Sequence, residues 1–256
     1  MSAYTPEFNR GAVRPFECLR LGKELVKDQY WLFLGIVFVG ILLGGAVPLY
    51  LLLGPMLCGI YICYLRRMRG EPIAFDMLFK GFDYFTPSLV AALTQAVPMV
   101  IAIFVGYIGG IALAFAGAGL ASQSPEAGLL TFGLFFGFLM AVILFASLIG
   151  LFFMFSFPLI VDRGLGGLDA CKLSARAVMG NLGGLLGLFA VLFLLGILGV
   201  LACYVGVFFL MPFSFGAIAV AYRQIFPDYG RPIGPPSFGQ QQAPPYGAPY
   251  GYPPMQ

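Results

Sequence analysis

Long runs without a charged residue constrain this chain more than any other feature of its sequence. One of them covers 35 residues, from Trp31 to Leu65. As one α-helix it would be about 52 Å long, whereas the hydrocarbon core of a bilayer is only about 30 Å thick. The run must therefore turn back on itself, and Gly44, Gly45 and Pro48 mark the place where glycine and proline weaken a helix. The sequence predicts two membrane spans joined by a tight outward turn.

The composition also indicates a membrane protein. Hydrophobic residues make up 60% of the 256 residues and charged residues only 10%, whereas a soluble domain carries about 25% charged residues. Two more apolar stretches, 84–161 and 182–222, are each long enough for two spans, and the first is interrupted near Glu126. We therefore predict an all-α fold, a polytopic membrane helix bundle of about six transmembrane helices arranged as three hairpins. The predicted spans are about 31–47, 49–68, 87–116, 128–160, 181–200 and 203–224.

The basic residues predict the orientation of this bundle. All 14 Lys and Arg residues fall on one side of the six-span arrangement, and such residues are retained on the cytoplasmic side. Both termini are therefore expected in the cytoplasm, with the protein in the cytoplasmic (inner) membrane. Residues 1–30 show no apolar core followed by a cleavage site, so the first span is expected to act as an uncleaved signal.

An amphipathic segment precedes each predicted hairpin. The first lies within residues 1–30, and the other two present a candidate interfacial face formed by Asp76, Lys80, Asp83, Asp169, Lys172 and Arg176. Each segment is predicted to lie in the headgroup plane with its apolar side toward the acyl chains. This recurrence favours a threefold repeat of interfacial helix, span and return span. The alternative is that any loop beside a membrane becomes amphipathic.

The sequence changes character near its end. Residues 227–256 are rich in Pro, Gly, Tyr and Gln and cannot bury a core, which predicts a disordered cytoplasmic tail. Such a tail either recognises a partner, with Tyr246, Tyr250 and Tyr252 as contact residues, or is dispensable. The expected partners are the lipid bilayer and a possible protein at the cytoplasmic face or tail. No nucleic-acid partner is expected, and the oligomeric state stays open.

Residues that carry catalytic chemistry are scarce. Histidine is absent, so the chain has no Ser-His-Asp or Cys-His pair and no H-E-x-x-H zinc site. We predict neither an enzyme nor a metal or cofactor site. Carboxylates near the charged segments, Asp162 among them, lie close in sequence to Lys or Arg, and their expected role is charge pairing. The five cysteines show no C-x-x-C spacing, which indicates free, buried thiols.

The second predicted span contains the best candidate for a functional kink, formed by Gly54, Pro55 and Gly59. A broken membrane helix can expose backbone groups to a substrate. More often, proline only bends the helix. The spans carry no charged residue away from their ends, which argues against proton-coupled transport.

Three runs carry a resemblance to a known family: GPMLCGIYICYLRRMRGEPIAFDMLFKGFDYF, FPLIVDRGLGGLDACKLSARAVMGNLGGLL and MPFSFGAIAVAYRQIF. Over about residues 15–226 the chain resembles the bacterial six-helix integral membrane proteins of unknown function. These are related to the membrane domain fused to some glycerophosphodiester phosphodiesterases. The resemblance implies an all-helical membrane module without assigned activity. The phosphodiesterase domain of the fused members has no counterpart here.

Two functions follow as hypotheses. The leading one is a non-catalytic membrane module that organises partners or lipids, because amphipathic segments and a tail accompany a lack of catalytic residues. The alternative is a permease or channel for a neutral or apolar solute, favoured by six spans and proline-broken helices. An enzyme acting on lipids is a more distant third.

Overall fold

A computed structural model describes residues 8–46, 51–121, 124–201 and 205–227. These residues form helices, connected by short loops and without a strand, which confirms the predicted all-α fold. The elements in chain order are α1 (Pro15–Lys27), α2 (Tyr30–Ala46), α3 (Leu53–Met68), the 3-10 helix η1 (Phe75–Tyr84), α4 (Phe85–Ala121), α5 (Pro125–Phe153), α6 (Ser156–Arg163), α7 (Gly167–Gly180), α8 (Leu182–Leu201) and α9 (Val205–Ile225).

Four helical runs of the described chain are long and apolar enough to cross a membrane, and the bent pair α1 and α2 makes a fifth if it counts as one span. The four are Phe75–Gly119, Glu126–Arg163, Leu182–Leu201 and Val205–Ile225. With 17 and 16 residues, α2 and α3 are shorter. The structure thus supports a membrane protein, whereas six spans stay a prediction. The predicted turn at Pro48 and the predicted tail beyond Pro227 lie outside the described residues.

Helix α3 lies at the centre of the fold. Every residue from Gly54 to Leu65 is buried except Leu57, because α2, η1, α4, α6 and α9 all pack against this helix. Such a continuous apolar sequence fits a helix that is surrounded on all sides. The Tyr64 hydroxyl donates a hydrogen bond of 2.7 Å to the carbonyl oxygen of Pro212 in α9, which satisfies its polar end inside the core.

Glycine allows η1 to approach α3 at backbone distance. A Cβ on Gly59 would overlap the carbonyl oxygen of Leu78, and a Cβ on Gly81 would overlap that of Pro55. The structure here differs from the predicted second interfacial helix, because η1 continues directly into α4 and buries Leu78 against α3. Phe75, Phe79 and Phe82 of η1 are exposed.

Only Met154 and Phe155 separate α5 from α6, and a side chain of α7 forms hydrogen bonds with the backbone at this break. The buried Ser174 hydroxyl donates a hydrogen bond of 2.7 Å to the carbonyl oxygen of Phe152, and it accepts one of 3.2 Å from the backbone N–H of Phe155. Backbone groups left by the end of one helix and the start of the next are thereby satisfied. Helix α6 packs against α3.

Helices α4 and α5 form an antiparallel pair, in which Gly106 faces Val142 and Gly117 faces Thr131. This pair exposes many large apolar side chains on both helices. They include Val97, Ile101, Ile103, Phe104, Val105, Tyr107, Ile108 and Phe115 on α4, and Leu129, Leu130, Phe132, Leu134, Met140 and Phe145 on α5. A contiguous exposed apolar surface of this extent requires lipid or another apolar partner.

Helix α1 bends by 103° away from α2, as expected for a helix that lies along a membrane surface entered by α2. Cys18, Gly22 and Val26 are buried, and a Cβ on Gly22 would lie 2.5 Å from the backbone nitrogen of Ala217 in α9. Arg20 and Glu24 are exposed on the opposite side. The segment is amphipathic, but its apolar side packs against α9 rather than facing the acyl chains as predicted.

Candidate functional site at the charged end

A buried ionic network joins three elements at one end of the bundle. Asp162, the last acidic residue of α6, accepts hydrogen bonds from Arg69, Arg223 and Tyr222. The bonds from Arg69 (3.0 Å) and from one Arg223 nitrogen (2.9 Å) end on Oδ1, and those from Tyr222 (2.7 Å) and the other Arg223 nitrogen (3.1 Å) end on Oδ2. All four acceptor positions of the carboxylate are thereby occupied.

The network is nearly closed to solvent. The side chains of Asp162, Arg69 and Arg223 are 7%, 13% and 11% exposed. At this burial, charges are stabilised only when partners and hydrogen bonds replace the lost water, and the two-pronged contact of Arg223 supplies this geometry. The network therefore fixes the end of α3 to α6 and α9.

Hydrogen bonds hold the N-terminal segment at the same end of the bundle as the ionic network. The buried Asn181 side chain accepts a hydrogen bond of 2.9 Å from the backbone N–H of Ala12 and donates one of 2.9 Å to the carbonyl oxygen of Asn9. Gln224 of α9 accepts bonds from the backbone N–H of Arg14 (3.1 Å) and from the Cys18 thiol (3.2 Å). Asn181, between α7 and α8, and Gln224, near the end of α9, thus hold residues 9–14 in place. Burial raises the pKa of the Cys18 thiol to about 11, so the thiol stays protonated and inert.

An open groove of about 650 Å³ lies beside the network, between α1, the end of α3 and α9. Leu21, Leu25 and Met68 contribute apolar surface, whereas Glu24 and Arg67 contribute charges of opposite sign. Arg67 also donates a hydrogen bond of 3.0 Å to Asp28 just after α1. The groove can accept an amphipathic ligand.

The structure places all six residues of the predicted interfacial face on exposed surface. Asp76, Lys80 and Asp83 lie on η1, and Asp169, Lys172 and Arg176 lie on α7. None of them forms an ion pair with another described residue. On α7 the opposite side, including Cys171 and Val178, is buried within the protein rather than turned toward the acyl chains as predicted, and Leu168 is 51% exposed.

The three residues of the predicted kink, Gly54, Pro55 and Gly59, lie within the continuous helix α3. Helix α3 begins at Leu53, so Gly54 and Pro55 fall in its first turn, where a proline removes no intrahelical hydrogen bond. Gly54 and Gly59 instead form the contact surface for Ser88 and Leu78. These residues serve close packing within the described structure rather than a break in the middle of a span.

Sequence reasoning assigned Asp162 to charge pairing but could not name its partners. Its immediate neighbour Arg163 is not among them, whereas Arg69 and Arg223 are 93 and 61 residues away. A sequence signal does exist in retrospect, because Asp162, Arg69 and Arg223 each stand at the end of an apolar helix. Four described cysteines, Cys18, Cys58, Cys63 and Cys171, are free and buried, as predicted, and Cys203 lies outside the described residues.

Within the described ranges, no three acidic or thiol side chains lie close enough to share a metal ion. No protein family, curated protein or solved structure matches this chain. The resemblance to six-helix bacterial membrane proteins therefore stays a prediction.

Proposed function

We propose that this chain is a non-catalytic membrane module whose charged end organises lipids or partner proteins at the membrane surface. It spans the bacterial cytoplasmic membrane six times, as three hairpins, with both termini in the cytoplasm. The ionic network around Asp162 is the observation that carries the proposal, because it fixes three helices into a rigid platform at the end where the exposed charges gather.

The distribution of exposed surface supports this placement. Large apolar side chains cover α4 and α5, whereas exposed charges such as Lys80, Lys172 and Arg176 lie on the elements that join the helices. Glu126 stands apart, at the start of α5, on the opposite side of the long α4 and α5 pair. A lipid-covered body with one strongly charged end is the pattern that a bilayer imposes.

The interior favours a module over the alternative of a solute channel. Large aromatic side chains, among them Tyr64, Phe155, Tyr222 and Phe226, fill the space around α3 and are fully buried. The rings of Tyr222 and Phe226 lie 5.1 Å apart, and those of Phe155 and Phe226 lie 6.3 Å apart. A channel at this position would have to displace packed rings.

Reporter fusions test the topology. Alkaline phosphatase is expected to be active when fused after residue 123 and inactive when fused after residue 70 or residue 166, because it folds only in the oxidising periplasm. A green fluorescent protein at the C-terminus is expected to fluoresce. Phosphatase activity after residue 70 would contradict the proposed orientation.

Reconstitution tests the function. Protein in liposomes is expected to retain specific lipids or a partner protein, and glycerol influx is expected to equal that of empty liposomes. The double variant Lys172→Gln, Arg176→Gln removes two exposed charges without touching the core, and retention should fall. Glycerol influx well above that of empty liposomes, with nothing retained, would refute the module and favour a permease.

A further inference from the structure

We propose that Arg163 at the end of α6 binds a phosphate group, the headgroup phosphate of an anionic phospholipid. This inference rests on the proposed function, since it names the lipid class that the charged end would organise. The starting observation is that Arg163 is not one of the residues that bind Asp162 in the neighbouring ionic network.

Asp162 cannot neutralise Arg163. Both carboxylate oxygens already accept two hydrogen bonds each, from Arg69, Tyr222 and Arg223. The Nη2 atom of Arg163 is buried and has no hydrogen-bond partner among the described residues. A buried guanidinium nitrogen without an acceptor is costly, and such a group calls for a missing water or ion.

The surroundings of Arg163 hold its guanidinium in place rather than neutralise it. The central carbon of the guanidinium lies 5.0 Å from the ring centre of the buried Phe226, a cation–π contact that orients the planar group. The side chain is partly exposed, so its remaining N–H donors are accessible from outside. The ring centres of Phe226 and Phe8 lie 6.2 Å apart, and the guanidinium carbon of the exposed Arg10, a second cation, lies 6.0 Å from the ring centre of Phe8.

Arg163 adds a further positive charge beside the network, in which Arg69 and Arg223 both bind Asp162. A guanidinium oriented on an aromatic ring offers the planar fork of donors that fits phosphate oxygens. Because α6 ends at the proposed membrane surface, the phosphate groups closest to Arg163 would be those of lipid headgroups.

Lipid titration of the full chain in detergent, followed by native mass spectrometry, tests the proposal. Wild-type protein is expected to bind phosphatidylglycerol more tightly than phosphatidylcholine, and Arg163→Gln is expected to weaken phosphatidylglycerol binding about tenfold or more, as for loss of a charge-assisted hydrogen bond. Arg163→Lys keeps the charge but loses the fork, so an intermediate affinity is expected. Arg20→Gln removes an exposed charge of α1 and should cost no more than about fivefold.

The second part of the experiment uses inorganic phosphate in place of a lipid. If phosphate, at equal ionic strength to a chloride control, raises the melting temperature of wild type but not of Arg163→Gln, the phosphate site is supported with a soluble source. Equal phosphatidylglycerol affinity and an equal phosphate response in wild type, Arg163→Gln and Arg20→Gln would overturn the site. Failure of the proposed function would instead appear as glycerol influx in the liposome assay, so the two failures are distinguishable.

Discussion

Replacing Asp162 by asparagine is expected to lower the free energy of unfolding by about 3–5 kcal/mol. The substitution preserves the shape of the side chain, removes the charge that lies between two guanidinium groups and replaces one acceptor oxygen by an NH2 donor. Because the Arg69 and Arg223 side chains are 13% and 11% exposed, water cannot replace the carboxylate. Titration with sodium dodecyl sulfate in mixed micelles, followed by circular dichroism, measures the effect.

The matched control is Asp76→Asn on η1. Asp76 is exposed and forms no ion pair with a described residue, so its substitution should change stability by no more than about 0.5 kcal/mol. Combining Asp162→Asn with Arg223→Gln should cost less than the sum of the two single changes, because both remove the same contact. Equal stabilities of Asp162→Asn and Asp76→Asn would show that the network does not hold the fold.

The network also shows what a sequence of this type can and cannot predict. Apolar periodicity and length were sufficient for an all-α fold and for the amphipathic patterns of α1 and α7, because both depend on near neighbours in the chain. The pairing of Asp162 depends on residues 61 and 93 positions away, which meet only when α3, α6 and α9 pack. Nothing local distinguishes Arg223 from the other basic residues that follow an apolar helix.

The segment Phe75–Tyr84 shows a second reason why the sequence does not predict tertiary contacts. Read with an α-helical period, Asp76, Lys80 and Asp83 oppose the apolar residues of the segment. A 3-10 helix has three residues per turn, so Leu78, Gly81 and Tyr84 share one face, and these are the residues buried in the structure. Contact with α3 selects this period, and a local pattern cannot reveal such tertiary selection.

The same contact leads to the second large expected effect, for Gly59→Ala. In a helix interior alanine is normally about 1 kcal/mol more favourable than glycine. At Gly59, however, the new methyl group would overlap the carbonyl oxygen of Leu78, and a backbone atom cannot rotate away as a side chain can. Overpacking of this kind costs about 1–3 kcal/mol, so we expect a net loss of stability in the same detergent titration.

The matched control is Gly137→Ala in α5. At Gly137 a methyl group would meet no atom within 4 Å, and Gly137→Ala should stabilise the protein. Opposite signs for the two substitutions are the result expected if α3 and η1 touch through their backbones; two stabilising substitutions would show that they do not.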